Sequence, residues 1–164
     1  MVYAHPRDTS YAHAVLDRVT SALGAGGSPV TVLDLCADGF DPVASSSTVH
    51  PMHLDALRRA GTLVVVHPTW WSGQPAILTG WLAALPQEAL RTVTRVVTIT
   101  THGSPRWVNL LEGRTGRDIV RRVLRPRYAP GARVEWIALY GLDRIDEEAR
   151  RRFLDRVERV VTPR

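Results

Sequence analysis

Two adjacent tryptophans, Trp70 and Trp71, stand in the segment His67-Pro68-Thr69-Trp70-Trp71-Ser72-Gly73-Gln74-Pro75. Indoles are large, rigid and apolar, so a planar ligand beside this segment can lie against them. The same pair could instead plug the end of a sheet, as at a subunit contact, and residue type alone leaves both readings open. Two other segments carry complementary chemistry. His5-Pro6-Arg7-Asp8-Thr9-Ser10 opens onto a helical pattern. At such a helix N-terminus the free N–H groups and the dipole favour an anion, and the Thr9 and Ser10 hydroxyls can add hydrogen bonds. Thr100-Thr101-His102-Gly103-Ser104 surrounds a glycine, which lets backbone approach a ligand closely, with small hydroxyls. An anion site, an indole wall and a polar backbone edge together describe a flavin mononucleotide pocket.

The elements that must position these segments follow from periodicity. Val2–Ala4 reads as a short first strand, followed by a helix from Ser10 to Leu23 with Ala12, Val15, Leu16, Val19 and Leu23 at helical spacing and Thr9 or Ser10 as its cap. Val30–Leu35 reads as a second strand, the Cys36–Pro51 connection with its Ser45-Ser46-Ser47-Thr48 run as a mobile loop, and His53–Ala60 as a short helix. Thr62–Val66 is a β-branched run of the kind buried on both faces, which Pro68 is expected to stop. A helix from Pro75 to Leu85, a strand at Arg95–Thr100, a helix over Trp107–Leu124 weakened by Gly113 and Gly116, a strand at Val134–Leu139 and an amphipathic helix Asp146–Val161 complete the chain. Strands alternate with helices throughout residues 1–164, which predicts one α/β domain with a five-stranded doubly wound parallel sheet of order 2-1-3-4-5 between two helical layers. The three segments then leave adjacent strands one, three and four at the topological switch point, where ligands bind in open α/β sheets.

Composition narrows the classes. The 164 residues, 45% of them hydrophobic, suffice for one buried core, and no apolar run approaches the roughly 18 residues of a membrane span. The opening residues show no secretory pattern, so a cytoplasmic location is expected. Cys36 is the only cysteine, which excludes an internal disulfide and a cysteine metal cluster. The net charge of +5 comes from 21 arginines, mostly interleaved with acids, and no nucleic-acid motif accompanies it, so no nucleic-acid partner is expected. His13 and His67 read as structural, and His50 and His53 as surface residues rather than metal ligands, so no metal site is assigned.

The chain resembles the flavodoxin-like NAD(P)H dehydrogenase (quinone) family. That family's His-Pro-x-x-x-Ser-aromatic motif is matched by His5–Tyr11, its Pro-x-Trp-aromatic and Pro-Ala-x-Leu-x-Gly-Trp block by Pro68–Trp71 and Pro75–Trp81, and its Thr-Thr-x-Gly-Ser segment by Thr100–Ser104. The resemblance implies a hydride relay in which NAD(P)H reduces a bound flavin, FMN or FAD, and a quinone-like acceptor is then reduced on the same face. By position, His5, Ser10 and Tyr11 would hold the phosphate and ribityl chain, and Pro68, Thr69, Trp70 and Trp71 would line the ring. Thr101, His102, Gly103 and Ser104 would meet its polar edge, with His102 and Gly103 at the reacting side. His102, with an ordinary pKa of about 6.5, would serve as proton donor or stack near the flavin edge. FMN is favoured because the compact chain lacks obvious extra sequence for an adenosine. A homodimer is also implied.

The chain departs from the family pattern in three places. Ala12 replaces a common asparagine, the loop after Trp81 is shortened, and strand one has three residues where about five are typical, so that either the start lies upstream or a truncated core is tolerated. An ancillary flavin-binding subunit of a larger system, or a dedicated biosynthetic reductase, is the alternative function.

Overall fold

The computed structural model describes residues 1–43, 48–71, 73–111 and 115–162. Five strands, β1 (Val2–Tyr3), β2 (Leu33–Asp34), β3 (Thr62–Pro68), β4 (Arg95–Thr101) and β5 (Arg133–Leu139), form one sheet of order β2-β1-β3-β4-β5 with every pairing parallel, as the alternation of elements predicts. The helices are α1 (Tyr11–Ala25), α2 (Pro51–Arg59), α3 (Ala76–Ala84), α4 (Arg106–Leu111), α5 (Thr115–Asp118) and α6 (Glu147–Val161). Because β3 and β4 are buried on both faces, their β-branched side chains feed two cores. Val15, Val19, Val64, Val66, Val97, Ile99, Phe153 and Val157 fill one with α1 and α6. Leu33, Leu57, Leu63, Leu78, Trp81, Val96 and Leu124 fill the other with α2 and α3.

Three local expectations are corrected. Pro68 does not stop β3 but is its last paired residue, opposite Thr101. The alternation of the strand explains this: Thr69 N–H reaches toward β4, to the Thr101 carbonyl at 2.7 Å, so the nitrogen of Pro68 faces the other side, where β1 has already ended and no ladder N–H is required. β2 is two residues rather than six, because β1 is too short to pair with Val30–Val32. The helix expected over Trp107–Leu124 is divided into α4, α5 and a π-helical turn at Ile119–Val123, closed by Leu124 N–H on the Ile119 carbonyl at 3.0 Å. Gly113 lies outside the described residues, as do Ser45–Ser47 of the loop expected to be mobile.

Side-chain clamps fix the loops to this frame. Ser10 caps α1, its Oγ accepting from His13 N–H at 3.2 Å, and Asp146 caps α6 through Ala149 N–H at 2.7 Å. His53, expected at the surface, is buried: Trp81 Nε1–H donates to its Nδ1 at 3.2 Å, so its Nε2 carries the proton and donates to Asp38 at 3.0 Å, tying the loop after β2 to α2 and α3. The shortened connection after Trp81 is held by Arg127, whose guanidinium donates to the carbonyls of Leu82 and Pro86 at 3.0 and 2.8 Å, so a charged side chain satisfies the end of α3.

Two predictions follow from this packing. A Cβ on Gly80 would lie 2.8 Å from the Cα and the carbonyl oxygen of Pro42, main-chain atoms that cannot swing aside. Gly80→Ala should therefore lower stability by about 1–3 kcal/mol in chemical denaturation, against the gain of about 1 kcal/mol that helix propensity alone would give. The second concerns His67, fully buried near the end of β3 with Nδ1–H on the Pro68 carbonyl at 2.9 Å. Desolvation, with the nearby His102 adding to it, pushes its pKa down to about 4. The unfolded chain then binds the extra proton between pH 6.5 and 4, so stability falls as pH drops through that window, by roughly 3 kcal/mol in total. Urea titrations at pH 7 and pH 4.5 should show the loss in the parent and a shallower slope in His67→Gln.

Candidate functional site

The segments singled out by chemistry leave the carboxyl ends of β1, β3 and β4, and contacts between them show that they converge. The His5 and Trp70 rings meet at 5.8 Å in an edge-on arrangement, joining the first segment to the second. Thr69 N–H on the Thr101 carbonyl, and Thr69 Oγ1 2.8 Å from Thr100 Oγ1, join the second to the third.

In the first segment, His5 Nδ1 accepts from Arg7 N–H at 3.0 Å, and desolvation holds the ring's pKa below the ordinary histidine value. It is therefore a neutral ring against an indole. Ser10 Oγ, besides its capping bond, lies 3.2 Å from the Tyr3 hydroxyl. The amides of Tyr11 and Ala12, in the first helical turn, are among those an α-helix leaves for an outside acceptor. The Tyr11 side chain takes a different direction: its hydroxyl donates to the Arg150 carbonyl at 2.6 Å and its ring packs near Phe153, so it ties α1 to α6.

The second segment folds back on itself. Trp70 N–H donates to the Gly73 carbonyl at 3.1 Å and Gly73 N–H to the Trp70 carbonyl at 3.0 Å, a hairpin of two central residues. Trp71 at its tip has φ +48°, in the left-handed region that costs a residue with a Cβ about 1–2 kcal/mol. Trp71 is fully exposed and Trp70 is 44% exposed. Neither indole plugs the end of the sheet; both present surface, Trp70 beside His5. Large apolar side chains held out on strained backbone are characteristic of ligand or partner contacts.

The third segment is the most constrained. His102 N–H donates to the Leu139 carbonyl at 2.8 Å, the His102 carbonyl accepts from Leu142 N–H at 2.9 Å and the Ser104 carbonyl accepts from Gly141 N–H at 2.9 Å. A Cβ on Gly103 would meet the Asp143 carboxylate at 2.7 Å, so glycine lets this segment close on the loop after β5. The buried His102 ring stacks on Tyr140 at 4.4 Å with 21° between planes, and its Nε2 is 3.3 Å from Thr69 Oγ1. The hydroxyls of Thr100 and Thr69 thus lead to the imidazole of His102, and His102 and Thr69 line a cavity of about 40 Å³ together with Gly73, Arg106, Asn109 and Arg117.

Tyr140, Arg106, Asn109 and Arg117 carry no motif, and sequence reasoning did not place them in the site. The one available signal was topological, since β5 neighbours β4 and Tyr140 is the first residue after β5. Pro68, Thr69, Trp70, Thr101, His102 and Gly103 are brought together with His5, whereas Tyr11 joins them through its backbone alone. Chemically, the arrangement offers amides at a helix start, two exposed indole faces, a hydroxyl-linked imidazole and two guanidinium groups. That set suits a flat, anionic, hydrogen-bonding molecule.

Residues 1–160 match the family described as having a flavodoxin-like fold. Among individual proteins, the chain is 32% identical over 96 residues to the uncharacterized NAD(P)H oxidoreductase YcaK of Escherichia coli K12; that match takes in 50% of this chain and 48% of YcaK, so the chain spans about half the length of this relative. In three dimensions it is similar to NAD(P)H:quinone oxidoreductase from Methanothermobacter marburgensis, with a TM-score of 0.79, 21% identity and 98% and 93% of the two chains covered. It also resembles an FMN-dependent NADH-azoreductase of Bacillus anthracis solved with FMN, with a TM-score of 0.76, 13% identity and 98% and 95% covered. With the family pattern covering all but the last four residues, and with the observed sheet order, the chain belongs to the flavodoxin-like-fold family.

Proposed function

We propose that the chain is a flavin-dependent NAD(P)H oxidoreductase that passes a hydride to a small quinone-like acceptor. The observation that carries this reading is the pair of outward-standing indoles, Trp70 and Trp71, set between the start of α1 and the His102 segment. The relatives named as NAD(P)H oxidoreductase and the FMN-bound azoreductase support it. The residues present fit a flavin. The α1 amides and Ser10 suit its phosphate, with His5 a neutral neighbour. Pro68, Thr69, Trp70 and Trp71 give it a flat apolar wall, and Thr101, His102, Gly103 and Ser104 give a polar backbone edge. When bound, the flavin supplies the chemistry of accepting a hydride and handing it on. FMN is the cofactor we assign, because the start of α1 offers a phosphate seat and, among the described residues around it, none addresses an adenine.

His102 is the residue we assign to proton delivery. Thr69 and Thr100 orient its ring from one side and Tyr140 covers a face, so the ring is held beside the cavity rather than free to rotate. On the hairpin and on α4, Trp71, Trp107, Leu110 and Leu111 leave apolar surface exposed. A second copy covering it would complete the site as a homodimer. Among the described residues no helix is long and apolar enough to cross a membrane.

Titration of FMN, followed by quenching of tryptophan fluorescence, should give one site per chain with FMN bound more tightly than FAD. Steady-state NADPH oxidation with a series of quinones should give parallel double-reciprocal lines, the mark of donor and acceptor visiting in turn. Failure to bind either flavin would remove the assignment, and flavin binding without oxidation of NADPH or NADH would favour an ancillary role. Two variants divide the roles. Trp71→Asn should weaken FMN at least tenfold while leaving stability equal or raised by about 1 kcal/mol, since asparagine tolerates positive φ. His102→Phe should keep FMN binding within a few-fold yet slow turnover by about 10²–10⁴.

A further inference from the structure

The cavity of about 40 Å³ beside His102 is cationic. Arg106 and Asn109 are three residues apart on α4, the spacing that sets two side chains on one face of a helix, and both line the cavity. Arg117 lines it from α5. Among the described residues no carboxylate lines it and neither arginine forms an ion pair. Asp118, next to Arg117 in the chain, lies 3.6 Å from Arg122 instead. Two guanidinium groups on one small space repel each other, and an anion between them removes that repulsion.

The rest of the lining is also polar in character. Asn109 is buried, and Thr69, His102 and Tyr140 add further hydrogen-bonding groups. Gln74, which follows Gly73, is buried with neither amide atom hydrogen-bonded among the described residues. Its Cγ lies 3.4 Å from where a Cβ on the cavity-lining Gly116 would stand. A polar occupant is what such a wall lacks.

Topology separates this cavity from the phosphate seat at α1. The start of α1 follows β1, whereas His102 follows β4, and β3 lies between those strands. At about 4.8 Å per strand the two are about 10 Å apart. With the phosphate of FMN at α1, Arg106 and Arg117 remain for the molecule that enters second. A cavity of this volume takes a group the size of a few water molecules, which suits a carboxylate better than the pyrophosphate of a dinucleotide. The nicotinamide donor also carries its phosphates well away from its reacting ring, so a phosphate beside His102 would leave that ring elsewhere.

We infer that the acceptor is an anionic quinone, a flat ring bearing a carboxylate that Arg106, Asn109 and Arg117 bind while His102 stands beside the ring. This deepens the function proposed above and rests on it. The planar forks of the two arginines fix the direction of the carboxylate as well as attract it. The reaction balances as before: the quinone gains a hydride and a proton to become the hydroquinone, and NAD(P)H is oxidised to NAD(P)+.

The test compares a naphthoquinone carboxylate with its methyl ester, which keeps the ring and removes the charge, as acceptors for the FMN-loaded protein. The ratio of their kcat/KM values should be at least ten in the parent, most of it in KM. It should fall about three- to tenfold in Arg106→Gln and in Arg117→Gln and reach about one in the double variant. Arg117→Lys, which keeps the charge and loses the fork, should retain part of the ratio. Benzoate, titrated by calorimetry, should bind the parent and lose at least tenfold in affinity in the double variant. A ratio near one in the parent, or one that survives the double variant, would overturn the inference. So would a raised KM for NADPH in the variants at an unaltered ratio, which would hand the arginines to the donor's phosphates. Benzoate held by the parent alone, with neither quinone reduced, would remove the oxidoreductase reading and keep the anion site. Benzoate held equally by both, with ester and carboxylate reduced alike, would remove the anion site and keep that reading.

Discussion

The ladder between β3 and β4 is seven residues long on each strand, and its last rungs set Pro68 against Thr101. Everything at the site depends on that register. Because Thr69 N–H bonds the Thr101 carbonyl, the chain can leave β3 only on the far side of Pro68, and the two tryptophans follow immediately in a hairpin too tight to turn them inward. The same rung brings Thr69 Oγ1 between Thr100 and His102. A register slip of one residue would exchange the two buried faces of β3 and undo both cores, so packing across the whole sheet holds these few atoms in place.

Three imidazoles of differing burial stand at this end of the sheet. His67 is kept uncharged by burial, His102 lies between Thr69 and Tyr140, and His5 is kept uncharged beside Trp70. Arg106 and Arg117 bring positive charge to the cavity, and Arg7 stands close enough to His5 to help lower its pKa. Uncharged rings with cations around them favour a molecule that is flat over most of its area and anionic at a margin. Trp71 bears the positive φ that a two-residue hairpin asks of its first central position, so the turn itself holds the indole out.

Much of this was legible in the residues. The β-branched runs at Thr62–Val66 and Arg95–Thr100 announce central strands, the period of Ala12, Val15, Leu16 and Val19 announces α1, and alternation of strand with helix announces a doubly wound sheet, whose expected order 2-1-3-4-5 is the one observed. What escaped was decided by partners rather than by local pattern. Pro68 remains in its strand because its nitrogen faces a vacated side; β2 shrinks because β1 is short; His53 is drawn inside by Trp81 and Asp38, residues 28 and 15 positions away. Tyr140 and α4 join the site through sheet neighbourhood and a loop crossing, for which spacing in the sequence carries no sign. Tyr11 illustrates the converse: a motif position whose side chain is occupied by a helix–helix bond.

The most direct test of the account is an absorbance spectrum of the purified protein loaded with FMN, taken without oxygen before and after NADPH is added. The account predicts a bound flavin whose yellow absorption bleaches on NADPH and returns when a quinone is supplied. A flavin that stays oxidised in the presence of both NADPH and NADH, or a protein that retains no flavin, would contradict it.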